Sequence, residues 1–279
     1  MYECLAKKPG LIILDDPISS FDKNKKFAIL EMLFRRNTGE CLKNETVLML
    51  THDVEPIIDT LKSVRKLFSN LVTASHLHYS AGCITEQLIG ESDIRTFAQI
   101  CQSVTDSDSE DIIKLIYLRR HYEIMDDLGD AYQVLSNLFH HRETPIDTRE
   151  PVVQGVGHPE MSAEKVAFGC QAIADRIPGF DYQATFVQLT DPDRIRALYL
   201  LCRNGYEKLQ VFRLLQTGLE NAVIRKFMNE TYHIENEFIC QLDPARFDLI
   251  PEYVIRECDA LILLSLIHIS EPTRRVVIS

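Results

Sequence analysis

LIILDDPISSFDKNKK, residues 11–26, runs four apolar residues into two adjacent aspartates, then a proline, two serines and a third aspartate. KPGLIILDD (8–16) has the length and unbroken apolarity of a short strand buried on both faces of a parallel sheet. Asp22 stands before KNKKFAILEMLFRRN, whose apolar positions Phe27, Ile29, Leu30, Met32 and Leu33 recur at helical spacing. It is placed to cap that helix. TVLMLTHD (46–53) is a second apolar strand ending in polar residues, and VEPIIDTLKSVRKLF (54–68) reads as a second helix. Strand, helix, strand, helix at this spacing predicts a βαβ crossover and an α/β fold built on a parallel sheet.

Beyond this unit, NLVTASHLHYS (70–80) and CITEQLIG (83–90) flank Ala81-Gly82 and predict a hairpin at the sheet edge. From Ser92 onward helical periodicity dominates: residues 93–104, then 109–141, then 162–177, then a long stretch from Asp193 to about Tyr232. A loop rich in proline, glycine and acid (142–160) separates the helical blocks. The expected organisation is an α/β piece over 1–91 and a mostly α-helical region over 92–263.

With 46% hydrophobic and 25% charged residues, the 279-residue chain has the balance of a soluble globular protein. A net charge of −11 supplies no overall basic field for nucleic acid, although a local patch is compatible with it. Eight cysteines, none in a CxxC pair, suit neither a zinc site nor a small disulfide framework; they point to reduced thiols and a cytoplasmic protein. MYECLAKKPG has no apolar core of a signal peptide, and ALILLSLIHI (260–269) is too short to span a bilayer. LSLIHISEPTR (264–274) resembles the conceptual translation of a sequencing adapter, so residues 264–279 are expected to lie outside the natural chain.

An apolar strand that ends in two acids can serve phosphoryl transfer: the first carboxylate binds Mg²⁺ and the second polarises the attacking water. Both belong at the carboxyl end of a sheet strand, where open α/β sheets bind ligands. Here these are Asp15 and Asp16. The plainer alternative is a buried strand that ends in aspartate for its turn chemistry.

The ordered series LIILDD, then Ser19-Ser20-Phe21-Asp22, then VLMLTHD resembles the ATP-binding cassette superfamily, in the SMC/RecF-like branch of AAA family ATPases. The resemblance covers roughly residues 1–90. It implies the C-terminal part of a P-loop NTPase sheet, in which a Walker B strand runs into a D-loop and the next strand ends in a switch histidine. By position it makes Asp15 the Mg²⁺ ligand, Asp16 the catalytic carboxylate and His52 the contact to the γ-phosphate of ATP. Ser20 and Asp22 become D-loop residues facing nucleotide and the opposing subunit. DDPISSFD, with Asp where most cassette ATPases have Glu, is similar to large prokaryotic phage-defence ATPases, including those joined to anticodon nucleases. The implied cofactors are ATP and Mg²⁺; the implied partners are a second ATPase subunit in a head-to-tail homodimer, and DNA or RNA, with no membrane.

No GxxxxGK[ST] phosphate loop and no LSGGQ-like signature occurs in the chain. In the superfamily both precede the Walker B strand, so the resemblance implies a partial reading frame. Without the amides and lysine that cradle phosphates, this chain alone is not expected to bind ATP tightly.

In the helical region Arg119 and Glu123 are spaced to share a helix face, and His140-His141-Arg142 follows. Arg on phosphate with Glu or His as acid and base would make a metal-free ribonuclease set, Arg119, Glu123 and His140. The alternative is an i, i+4 ion pair on a solvated face. His76-Leu77-His78 puts two imidazoles on one strand face, as a metal pair or a surface pair. Arg194, Arg196, Arg203, Arg213 and Arg225 decorate what reads as one long helix, open either to nucleic acid or to solvent. The leading expectation is a nucleic-acid-associated ABC-type ATPase; the alternatives are an ATPase-gated RNase and a non-catalytic interaction module.

Overall fold

A computed structural model describes residues 7–18, 23–34, 41–61, 71–80, 82–155, 157–215, 222–226, 240–244, 246–247 and 250–270. The fold is mixed α/β and mostly helical. Two compact units divide it, one formed by 1–95 with 240–243 and the other by 96–239 with 244–279.

In the first unit, β1 (Ile12–Asp15) pairs in parallel with β2 (Val47–Leu50), register Ile12 to Val47 through Asp15 to Leu50. The crossover carries α1 (Lys23–Phe34), as strand, helix and strand predict. Ile12, Leu33 and Leu42 are buried there, with Leu14, Ile29, Phe34 and Val47 packed around them. That layer covers one sheet face only. Leu11, Ile13, Leu48 and Leu50 are 41–59% exposed, which corrects the expectation of a strand pair buried on both faces. The strands alternate in burial because the helix seats on one side of the pleat, and the side chains on the other side stay exposed.

α2 (Glu55–Asp59) follows β2; the rest of the expected helix beyond Leu61, residues 62–68, lies outside the described residues. β3 (Ala74–Ser80) and β4 (Cys83–Ile89) form the predicted antiparallel hairpin, turning where Gly82 takes φ +82°. The hairpin is a separate two-stranded sheet and not an edge of β1–β2, which corrects that placement. Leu77, Tyr79, Ile84 and Leu88 stand exposed on it. A third small sheet joins β5 (Ile94–Thr96) to β6 (Cys240–Leu242), where the Asp243 amide donates to the Asp93 carbonyl.

The second unit comprises α3 (Phe97–Thr105), α4 (Asp111–Ile124), α5 (Asp130–Phe139), α6 (Ala163–Ala174), α7 (Tyr182–Thr190), α8 (Pro192–Leu201), α9 (Gly205–Leu214), α10 (Ala222–Lys226) and α11 (Glu252–Ser270). Side-chain caps start most of them: Thr96 with Gln99 in a capping box, Ser162, Asp181, Asp191 and Asn204. The core gathers Phe97, Leu115, Tyr117, Leu138, Ile173, Tyr199, Phe212 and Val254.

Two long helical readings are corrected. Residues 109–141 break at Asp126 (φ +55°) and Gly129 into α4 and α5, because a left-handed residue ends the hydrogen-bond ladder. The Asp193–Tyr232 stretch breaks at Cys202–Asn204, where the Asn204 side chain accepts the Glu207 amide and starts α9. The five arginines therefore distribute over α8, a connecting segment, α9 and α10. Glu91–Asp93 form a 3-10 turn, Ile94–Thr96 are strand, and the helix begins only at Phe97.

Candidate functional site

The parallel register brings the ends of β1 and β2 together, so the residues that follow each strand meet. The Asp16 amide donates to the Leu50 carbonyl at 2.8 Å, extending the ladder by one residue. Asp16 itself takes φ +47°, a conformation aspartate tolerates better than most side chains. From there its Oδ2 lies 2.8 Å from His52 Nδ1. A carboxylate oxygen only accepts, so Nδ1 carries the proton and the pair is a directed Asp–His dyad. His52 is 71% exposed at its side chain, against 32% for Asp16, so the imidazole faces out of the strand ends.

A second layer supports the dyad. The Asp53 amide donates to Thr51 Oγ1 at 3.0 Å, fixing the turn after β2. Asp53 receives Lys26 Nζ from α1 at 2.6 Å, and its Oδ1 lies 3.9 Å from His52 Nε2. The Asp53 hydrogen bond raises the Lys26 pKa, with Glu55 at 3.7 Å adding to it. The sequence does not single out Lys26, Thr51 or Asp53 as site residues; the polar run THD is the signal for two of them, but Lys26 lies 27 positions from its partner.

Asp15 is exposed and its carboxylate makes no hydrogen bond or ion pair among the described residues. That suits a hard divalent cation, which typically takes one or two carboxylates and fills its remaining positions with water and substrate phosphate. No cluster of three or more His, Cys, Asp or Glu able to hold a metal occurs among the described residues. Ser20 and Asp22 lie outside the described residues.

In the helical unit Arg119 Nη2 and Arg120 Nη1 donate to the two Glu123 oxygens, each at 2.7 Å, and Tyr132 Oη donates to Oε1 at 3.2 Å. The side chains of Arg119 and Glu123 are 24% and 21% exposed, so this pair is set into the helical packing rather than on a solvated face. Arg119 and His140 line one cavity of about 280 Å³, together with Ile116, Phe139, Tyr206, Gln210, Arg213 and Leu214. Glu123 is not among its lining residues. His140 Nδ1 lies 2.6 Å from the Ser136 carbonyl and must be the donor, which leaves Nε2 as the reactive nitrogen.

His76 and His78 stack at 6.4 Å on β3 without further ligands among the described residues. Cys41, Cys83, Cys101, Cys170, Cys202 and Cys258 are free thiols. Burial pushes Cys101, Cys202 and Cys258 up to about 12, so these three are not nucleophiles. No described helix is long and apolar enough to cross a membrane. Comparison with family models, curated proteins and solved structures finds no match to this chain.

Proposed function

We propose that the first unit is the Walker B and switch-histidine portion of an ABC-type ATPase of the SMC/RecF-like group, acting in a nucleic-acid-associated process such as phage defence or DNA maintenance. The single observation that carries this reading is the Asp16–His52 hydrogen bond across the carboxyl ends of two adjacent parallel strands. Ligands of open α/β sheets bind in that crevice. A hydrolytic site there needs a carboxylate to polarise water and a donor toward the γ-phosphate; Asp16 would supply the first, and the exposed His52, as the imidazolium that keeps Nδ1–H on Asp16, would donate Nε2–H as the second. Asp15, exposed beside them, would hold Mg²⁺, which would neutralise charge on the transferring phosphoryl group.

The phosphate loop and signature come from outside this chain in this reading, within a complete ATPase that pairs head to tail with a second copy. The open apolar face of β1–β2 supports it, because parallel sheets are normally covered on both sides. The test is genomic and biochemical together. The reading frame extended upstream should encode a phosphate loop and a signature, and the completed protein should hydrolyse ATP with a requirement for Mg²⁺. Absence of both motifs upstream, or a completed protein with no ATP turnover, overturns the reading.

A second reading, an ATPase-gated RNase in the helical unit, is favoured by the shared cavity of Arg119 and His140. In it Arg119 meets the phosphate, His140 Nε2 exchanges the proton, and Glu123 positions Arg119. RNA cleavage unchanged in Arg119→Ala of the completed protein would overturn it.

A further inference from the structure

The cavity between α4, the C-terminal end of α5 and α9 has a charge balance that its own side chains do not settle. Two guanidiniums, Arg119 and Arg213, and the His140 imidazole line it, and no carboxylate does so among the described residues. Among the described residues Glu123 is the one acid bonded to this group, and its two oxygens serve Arg119 and Arg120. Arg213 has no carboxylate partner among the described residues; its Nη1 donates to Gln210 Oε1 at 3.2 Å. The walls around it desolvate the guanidinium, and Arg119 repels it, so its pKa lies below the ordinary arginine value although much of the side chain reaches solvent. Arg119 Nε is buried and makes no hydrogen bond among the described residues. Guanidiniums held close together against a low-dielectric wall cost free energy unless an anion joins them. In a chain of net charge −11 this basic concentration stands out.

The lining also decides which anion. Guanidinium forks match the oxygens of a phosphate in bidentate fashion, and a His140 imidazolium, its Nδ1–H given to the Ser136 carbonyl, donates Nε2–H to a further oxygen. Ile116, Phe139, Leu214 and Tyr206 make the rest of the lining largely apolar. Tyr206 is itself fixed, edge-on to Phe97 at 5.5 Å and tilted against Tyr117 at 5.1 Å. A volume of about 280 Å³ is at the small end of ligand pockets, enough for one phosphate and part of one ring.

We propose that this cavity binds a nucleoside phosphate ester, with Arg119, Arg213 and His140 on the phosphate and the apolar wall beside the sugar or base. The inference rests on the cavity that the second reading uses and deepens it by naming the ligand; binding is measured without cleavage, so loss of the RNase reading and loss of this proposal are told apart. The phosphate ester has two sources, a free mononucleotide or the end of an RNA strand.

Titration calorimetry of the full chain tests it with four probes: inorganic phosphate, uridine, uridine 5′-monophosphate and a 5′-phosphorylated RNA hexamer. The monophosphate or the hexamer should bind, uridine should not, and binding should weaken as salt rises. Arg213→Gln, whose exposed position leaves the fold intact by circular dichroism, should weaken binding about tenfold or more, and Arg213→Lys should recover part of it. A hexamer that binds about tenfold tighter than the monophosphate assigns the site to RNA ends; equal affinity assigns it to free nucleotide. Uridine binding as well as its monophosphate, no binding by either phosphorylated probe, or Arg213→Gln binding like the parent each overturns the proposal.

Discussion

His52 Nδ1 lies 2.8 Å from Asp16 Oδ2, across the ends of two parallel strands whose sequences are separated by a whole helix. The hydrogen bond directs the Nδ1 proton to the carboxylate and aims Nε2 away from it. Asp16 therefore has a second job beside any water it polarises: it sets the histidine tautomer. In the complete ATPase proposed above, Asp16→Asn and His52→Ala should each lower kcat by about 10²-fold or more. The double variant should fall little further than the worse single one, because the two side chains act through one bond. In this chain alone, nitrogen NMR of the histidines should show His52 losing its Nδ1–H preference in Asp16→Ala.

Asp147 anchors the loop between α5 and α6 with its carboxylate only 2% exposed. The Arg149 guanidinium, at 2.7 Å, and then Lys165, at 2.8 Å, hold its pKa well below the usual carboxylate range. A depressed folded pKa means the stabilisation is fully present above the unfolded value, about 3.9, and is lost as pH falls through the folded value. Asp147→Asn should cost about 2 kcal/mol near pH 7, carried mainly by Arg149 and below a fully buried pair because that guanidinium is partly solvated. Denaturant melts of parent and variant should differ by a constant amount between about pH 5 and 8 and converge below about pH 4.

Gly169 on α6 sits where a Cβ would lie 2.7 Å from the Asp130 carbonyl oxygen and 2.8 Å from Val134 Cγ2 on α5. Alanine would gain roughly 1 kcal/mol of helix propensity. The obstacle is backbone, so the helices must separate, at about 1–3 kcal/mol. The clash should win: Gly169→Ala should lower Tm by a few degrees, whereas a propensity-dominated position would raise it.

Ile13 and Leu48 lie on the uncovered face of the parallel pair, 59% and 47% exposed. Charged substitutions there remove little buried area, so Ile13→Lys with Leu48→Lys should change stability by no more than about 0.5 kcal/mol. An open apolar face drives association, and the double variant should shift the chain toward monomer in sedimentation at high concentration. In the complete ATPase proposed above, the same substitutions should impair folding, because in that reading the remainder of the sheet covers this face.

Much of the first unit was legible locally. LIILDD and TVLMLTHD declared themselves as strands through unbroken apolar runs, the intervening helix through its period, and the hairpin through Ala81-Gly82. Asp15, Asp16 and His52 could be singled out because polar residues at strand ends follow directly in sequence. The helix breaks were harder. Apolar periodicity continues through 109–141, and only Asp126 in a left-handed turn and the Gly129 cap divide it.

Local chemistry in the chain was enough for element type, for the crossover and for which strand ends carry acids and the histidine. Burial and meeting required the folded molecule. That one face of β1–β2 stays open follows from where α1 seats, not from the strand residues, which are apolar on both sides. Lys26 reaches Asp53 because α1 lies beside the turn after β2, and Arg119, His140 and Arg213 share one cavity because helices remote in sequence pack side by side. A spacing of three or four residues on one helix can be read in sequence; a guanidinium 94 residues from another becomes its neighbour only through the packing of α4 against α9.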